Sequence, residues 1–229
     1  LSTFRTQVGA AIQLCEDSVR LTAAASTPVT VPGVLSKFPL MNYVGRINCV
    51  TGYGAAARHQ IWALRRHGLR LRVIEAGSTG DPDPFRLDAF IQEVRKSFSD
   101  TDVVGGTIIH LAPNCVLPKH FQNPRPHILV SVWETSRLPI AWVPIINRFD
   151  QVWCATAWQR AVYASSGVDE RRLFVVPFAL DPALYVADGE GLSDIKRGGC
   201  VVLGSVFQWT ERKNPRALLN AFVKAFRPD

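Results

Sequence analysis

The chain has 229 residues, 47% hydrophobic and 20% charged, proportions that exclude a disordered, collagenous or coiled-coil chain. Lys and Arg outnumber Asp and Glu by 26 to 19, and the net charge of +7 favours an anionic partner: a phosphate-bearing ligand, an acidic membrane surface or nucleic acid. The arginines are dispersed and no nucleic-acid-binding motif is visible, so nucleic acid is not expected.

Five cysteines (Cys15, Cys49, Cys115, Cys154, Cys200) lie far apart without a C-x-x-C pair, which argues against a disulfide framework and a structural zinc site. Buried thiols in a reducing compartment are the simplest reading, and a cytoplasmic location is expected. The apolar runs 128–133 and 200–207 are far shorter than the ~20 residues that span a bilayer, and no secretory signal is read. The sequence starts at Leu1 and stops at Asp229 in what reads as a helix end, so a piece of a longer protein is expected.

Residues 1–41 form an extension of uncertain structure; 18–26 is Ala/Thr/Ser-rich, and Pro28, Pro32 and Pro39 point to an extended approach to the first strand. Residues 44–50 read as that strand and 55–67 as a helix, with Ala57, Ile61 and Leu64 at helical spacing. Gly68 then closes the helix and 69–75 forms the second strand. Asp83 caps a helix over 84–98 with Pro84 at its first position. Strands follow at 103–110 and 128–133, a short helix at 139–147, and a strand at 151–155. A helix over 157–166 closes at Gly167, and 173–177 is a further strand. These strands are Val/Ile/Leu-rich throughout, the pattern of strands buried on both faces. Repeated strand–helix order then predicts a doubly wound parallel α/β domain, Rossmann-like, over 42–187. A Gly/Ser/Asp/Lys-rich linker at 188–199 precedes a strand at 200–207, a polar turn and a helix at 215–226. One β–α unit cannot bury its own faces, so 200–229 reads as the start of a second Rossmann-like domain.

Thr51-Gly52-Tyr53-Gly54-Ala55-Ala56-Ala57 lies between the first strand and its helix, where glycines let a backbone approach a ligand and the helix N-terminus attracts an anion. The string also fits G-x-G-x-x-A, and Glu75 follows roughly 20 residues on, where a dinucleotide site wants an acid for the ribose. A dinucleotide site, a pyrophosphate or sugar site, and a plain tight turn all remain open. His110 ends a strand at the edge where α/β sheets bind ligands; it can bond a sugar hydroxyl, act as a base, or merely be satisfied by a carbonyl. Glu134 and Arg137 follow the next strand as a hydroxyl-binding pair or an ordinary ion pair. Arg212 and Lys213 precede a helix, where cations oppose the macrodipole unless an anion neutralises them. Asp81-Pro82-Asp83 has D-x-D spacing, but Asp83 is better used as a cap and no metal is expected. Arg65, Arg66, Arg70 and Arg72 read as a solvated helix end running into a strand, with peripheral contact to an anionic membrane face as the lesser option.

Taken together, Thr51–Ala57, Val132-Trp133-Glu134-Thr135-Ser136-Arg137-Leu138-Pro139, the march through Ser166-Gly167-Val168 to Val175-Val176-Pro177-Phe178-Ala179-Leu180-Asp181-Pro182, and Gly204-Ser205-Val206-Phe207-Gln208-Trp209-Thr210-Glu211-Arg212-Lys213-Asn214-Pro215 resemble glycosyltransferases of the two-domain GT-B architecture. The resemblance spans about residues 42–229 and is to the retaining family 4 type, glycosyltransferase group 1. It implies hexose transfer from a UDP- or GDP-linked nucleotide-sugar to a sugar or lipid-linked glycan acceptor, without cofactor or metal. By that resemblance His110 touches the donor sugar and Glu134 shares the catalytic site. Gly52, Tyr53, Gly54, Arg212 and Lys213 bind the donor, and Trp133 and Arg137 line the acceptor side. Ala179 and Asn214 stand where members commonly have Gly, and the family's donor-contacting glutamates would fall beyond Asp229, so this piece alone is expected to be inactive. An NAD(P)-dependent oxidoreductase and a non-catalytic nucleotide- or sugar-binding module are the alternatives.

Overall fold

A computed structural model describes residues 40–49, 51–76, 94, 103–180, 203–207 and 209–226. The chain divides into two compact units, Leu1–Leu184 and Tyr185–Asp229. Among the described residues the first is built on six strands: β1 (Leu40–Gly45), β2 (Arg70–Glu75), β3 (Val104–His110), β4 (His127–Val130), β5 (Gln151–Cys154) and β6 (Leu173–Val175). All adjacent pairs are parallel, in the order β2-β1-β3-β4-β5-β6. The α-helices whose bounds lie among the described residues are α1 (Gly52–Arg66), α2 (Val143–Ile146), α3 (Ala157–Ser165) and, in the second unit, α4 (Pro215–Ala225). This is the expected parallel α/β, Rossmann-like arrangement.

Consecutive strand residues feed two separate cores. Tyr43, Ile108, Ile128 and Trp153 enter one with Ala57, Ile61 and Leu64 of α1, while Val44, Ile109, Leu129 and Val152 enter the other with Val162 and Tyr163 of α3. Successive side chains of a strand point to opposite faces, so strands apolar at every position require cover on both sides. At the sheet edge the rule relaxes: β2 alternates half-buried Arg70 and Arg72 with buried Leu71 and Val73.

α1 and α3 share one local design. Thr51 and Thr156 cap them, accepting from Gly54 N at 3.4 Å and Gln159 N at 3.1 Å. Both end on a left-handed glycine, Gly68 (φ 90°) and Gly167 (φ 103°). Gly68 N bonds Arg65 O and Leu69 N bonds Leu64 O; Gly167 N bonds Ala164 O and Val168 N bonds Tyr163 O. These paired bonds satisfy carbonyls that a helix end otherwise strands.

Several boundaries differ from those the sequence predicts. β1 lies at Leu40–Gly45 rather than 44–50, because the chain leaves the sheet at Gly45 and Arg46–Cys49 folds into a loop. That loop is tied down by the Glu75 carboxylate, which accepts from Ile47 N and Asn48 N, and by Arg58, which donates to the carbonyls of Ile47 and Cys49. β4 stops at Val130, not at 133, because Ser131 O accepts from Gln159 Nε2 and Val132 N donates to Tyr53 Oη, so side chains replace the ladder. The short helix expected over 139–147 is a 3₁₀ turn, Ile140–Trp142, followed by α2. Residues 203–207, expected as part of a strand, have no regular structure among the described residues. The helix expected at 84–98 lies outside the described residues except for Val94, which is helical and buried. The 188–199 linker and residues 1–39 also lie outside them. Among the described residues no helix is long and apolar enough to cross a membrane. Cys49, Cys115 and Cys154 are free thiols, and burial pushes Cys154 up to about 12.

Candidate functional site

The strand order reverses direction at β1. From β1 the chain passes outward to β2, then returns to the other side for β3 through β6. Ligands of open α/β sheets bind beyond the carboxyl ends of the strands at such a switch point. Here those ends are Gly45 and His110, paired in register. A Cβ on Gly45 would stand 3.3 Å from His110 O, so a glycine lets β1 pass closely beside this histidine.

His110 is 1% exposed. Its Nδ1 lies 2.6 Å from Tyr43 Oη, and that hydroxyl donates to Gln60 Oε1 at 2.9 Å. Its Nε2 is buried without a hydrogen-bond partner. Phe178 stacks on the imidazole at 5.9 Å, and Tyr53 tilts against it at 5.7 Å. Desolvation in this aromatic surrounding lowers the His110 pKa to about 4, so the ring is neutral near pH 7. Such a ring offers a base or hydrogen-bond acceptor at a sheet edge built for ligands. Reaching it requires displacing a cover, and Phe178 is itself 36% exposed.

Gly52 and Gly54 part company. Both fall within the first turn of α1 rather than in a loop before it. Gly54 is buried, and a Cβ there would sit 2.1 Å from Cys49 O, so this glycine admits the protein's own loop. Gly52 is exposed with nothing within 4 Å of its Cβ position. An α-helix leaves its first amides without intrahelical acceptors, which makes the Gly52 face the accessible part of this N-terminus. Tyr53 belongs with His110 and bridges to Val132 N at 3.4 Å.

Glu134 and Arg137 are exposed. Trp133 Nε1 and Thr135 Oγ1 both donate to Arg137 O, at 2.7 and 3.2 Å, closing the 133–137 segment into a loop. The Trp133 ring meets Trp142 edge-on at 4.7 Å. Trp133 therefore anchors the loop, while Glu134 and Arg137 are carried at its surface.

Arg212 and Lys213 belong to the second unit, on an exposed 3₁₀ turn that leads into α4. Asn214 follows in the left-handed conformation (φ 48°, ψ 55°), and its side chain caps α4 by accepting from Ala217 N at 3.2 Å. Glycine is the usual residue for that backbone and Asn the usual substitute, which accounts for Asn214 where the resemblance has Gly.

Glu75 spends its carboxylate on the loop amides of Ile47 and Asn48 and does not stand ready for a ribose. Arg65 and Arg66 lie in the last turn of α1, where cations suit the helix dipole, and Arg66 also sits over the Trp62 ring at 5.3 Å. Asp81 and Asp83 lie outside the described residues; among those described, no group of three His, Cys, Asp or Glu side chains could hold a metal ion.

The sequence reading missed Tyr43, Gln60 and Phe178. Gln60 had a visible signal: a polar residue one turn from Ala57 and Leu64, on the buried face of α1. Tyr43 read as core, and Phe178 meets His110 only through tertiary folding. Searches against protein-family models, curated proteins and solved structures find no match to this chain.

Proposed function

We propose that this chain carries substrate-binding elements of a glycosyltransferase that moves a hexose from a UDP- or GDP-linked donor to a sugar or lipid-linked glycan acceptor with retention. The observation that carries this reading is His110 Nε2: a neutral, partnerless acceptor at the switch point of a parallel sheet. Beside a leaving diphosphate, a neutral acceptor suits a sugar hydroxyl. The open Gly52 end of α1 suits a phosphate oxygen. In the second unit, taken by itself, the exposed turn carrying Arg212 and Lys213 suits a phosphate group.

The chemistry asked of these groups is charge neutralisation. As the bond to the diphosphate lengthens, negative charge grows on its oxygens and positive charge on the sugar ring. Cations and N–H dipoles fixed in place before reaction lower that barrier. Glu134, on its surface loop, is assigned to hydroxyls on the reacting sugars, with Trp133 and Arg137 on the acceptor side. The dinucleotide reading is weakened because its ribose acid, Glu75, is committed to the β1–α1 loop.

Calorimetric titration of the full-length protein with UDP, GDP and NAD, without added metal, tests the proposal. Heat with UDP or GDP and none with NAD is the expected result. Binding of NAD alone would hand the site to an oxidoreductase, and silence with all three would overturn the nucleotide-sugar reading.

A further inference from the structure

His110 is held by two side chains that the proposed chemistry does not use. Tyr43 is fully buried in β1, and Gln60 is 4% exposed on α1. Tyr43 meets His110 on the nitrogen opposite the unpartnered one, and Gln60, from a different element, bonds the Tyr43 hydroxyl.

The direction of this chain follows from counting hydrogens. A tyrosine hydroxyl has one to give. Gln60 presents Oε1 to it at 2.9 Å, and a carbonyl oxygen can only accept. Tyr43 therefore donates to Gln60 and must accept from His110, across 2.6 Å. That puts the ring proton on Nδ1 and a bare lone pair on Nε2.

We infer that Gln60 and Tyr43 are positioning residues that lock His110 in the Nδ1–H tautomer, so that Nε2 accepts a hydrogen bond from a ligand hydroxyl and discriminates against a group that cannot donate. This rests on the nucleotide-sugar reading of the site, which already gives the sugar hydroxyl to His110; what it adds is the role of Gln60 and Tyr43. A histidine here leaves one ring nitrogen buried and unsatisfied, a cost that an apolar residue in its place would remove and a ligand hydroxyl would offset. The lowered pKa acts in the same direction, since a ring that stays neutral keeps its lone pair. An anion would meet that lone pair in repulsion; a hydroxyl would satisfy it.

Two measurements test the inference separately from the reading beneath it. Long-range ¹H–¹⁵N correlation of the imidazole in the 229-residue chain reports the tautomer without any ligand. Nδ1 should be protonated and Nε2 bare. Gln60→Leu should move the proton to Nε2, because the Tyr43 hydroxyl is then released to donate to Nδ1. Gln60→Glu, which keeps an acceptor oxygen, should retain the original tautomer. A wild-type ring protonated on Nε2, or a Gln60→Leu ring unchanged, overturns the inference. Should Gln60→Leu fail to fold, the wild-type spectrum and Tyr43→Phe decide instead, since Tyr43→Phe removes the only acceptor assigned to Nδ1.

The second measurement uses UDP-glucose and GDP-mannose with fluorine replacing one sugar hydroxyl at a time. Fluorine accepts weakly but cannot donate. At one ring position the replacement should weaken binding roughly 3- to 10-fold in the wild type, and Gln60→Leu should erase that difference. Equal affinity for every fluoro analogue and its parent overturns the ligand assignment. Failure of both parent nucleotide-sugars to bind overturns the nucleotide-sugar reading itself, while the tautomer result still decides the roles of Gln60 and Tyr43.

Discussion

α1 and α4 are entered in the same way, from a turn through a capping side chain, yet they end in opposite surroundings. α1 buries Gly54, Ala57, Gln60, Ile61, Ala63 and Leu64. α4 carries more large apolar side chains per turn and buries none of its residues. Leu218, Leu219, Phe222 and Val223 are 47–58% exposed, and the first three help line an apolar groove of about 410 Å³ within the second unit. An amphipathic stripe says which side of a helix seeks cover; it does not say what supplies it. The same contrast holds at the helix starts. At that of α1, Gly54 is packed against Cys49 while Gly52 is exposed; at that of α4, both Arg212 and Lys213 are exposed.

Four measurements bear on this contrast. Ile61→Ala should cost about 3 to 4 kcal/mol in urea unfolding, whereas Leu219→Ala should change stability by less than about 0.5 kcal/mol. Comparable losses would mean that the two helices are equally covered in solution. The next largest effect belongs to His110. Its unfolded ring takes a proton below pH 6.5, but the folded ring takes none until about pH 4. Stability is therefore full above pH 6.5 and falls as pH drops from 6.5 to 4, by about 3 kcal/mol in total. His67 and His120, also lowered by burial, add slopes of the same sign, so the comparison is between wild type and His110→Gln. A wild-type slope no steeper than that of the variant would contradict the burial of this ring.

The third outcome separates two neighbouring glycines. Gly54→Ala forces a methyl against Cys49 O and should cost about 2 kcal/mol. Gly52→Ala, with open space around it, should be neutral or stabilising by up to ~1 kcal/mol. The smallest effect is at Asn214. Asn214→Ala loses both the cap and a residue suited to left-handed backbone, and should reduce amide-exchange protection in α4 by about 1 kcal/mol. Asn214→Gly should fall within a few tenths of wild type.

The candidate site was legible in part. His110 could be placed at a carboxyl strand end from the run 103–110, because a strand apolar through most of its length is buried on both faces and belongs to a parallel sheet. What the run does not contain is the partner on each ring nitrogen. Tyr43 lies 67 residues from His110 in sequence, and only the β1–β3 pairing brings it to 2.6 Å. Glu75 shows the reverse case. Its position relative to Gly54 fits a dinucleotide fingerprint, but the β1–α1 loop folds back over the end of β2 and takes up both carboxylate oxygens. Sequence spacing places a carboxylate near a strand end; which donors reach it first is a matter of packing.

From residue order alone come the elements and their class. Apolar runs of strand length, and helical stripes closed by Gly68 and Gly167, are local instructions, each satisfied within a few residues of chain. Tertiary structure decided where strands end, which glycine is filled and which is open, and which histidine nitrogen is left bare. Those outcomes depend on groups that are distant in sequence competing for the same hydrogen bond or the same space, and only the folded chain brings them within reach of one another.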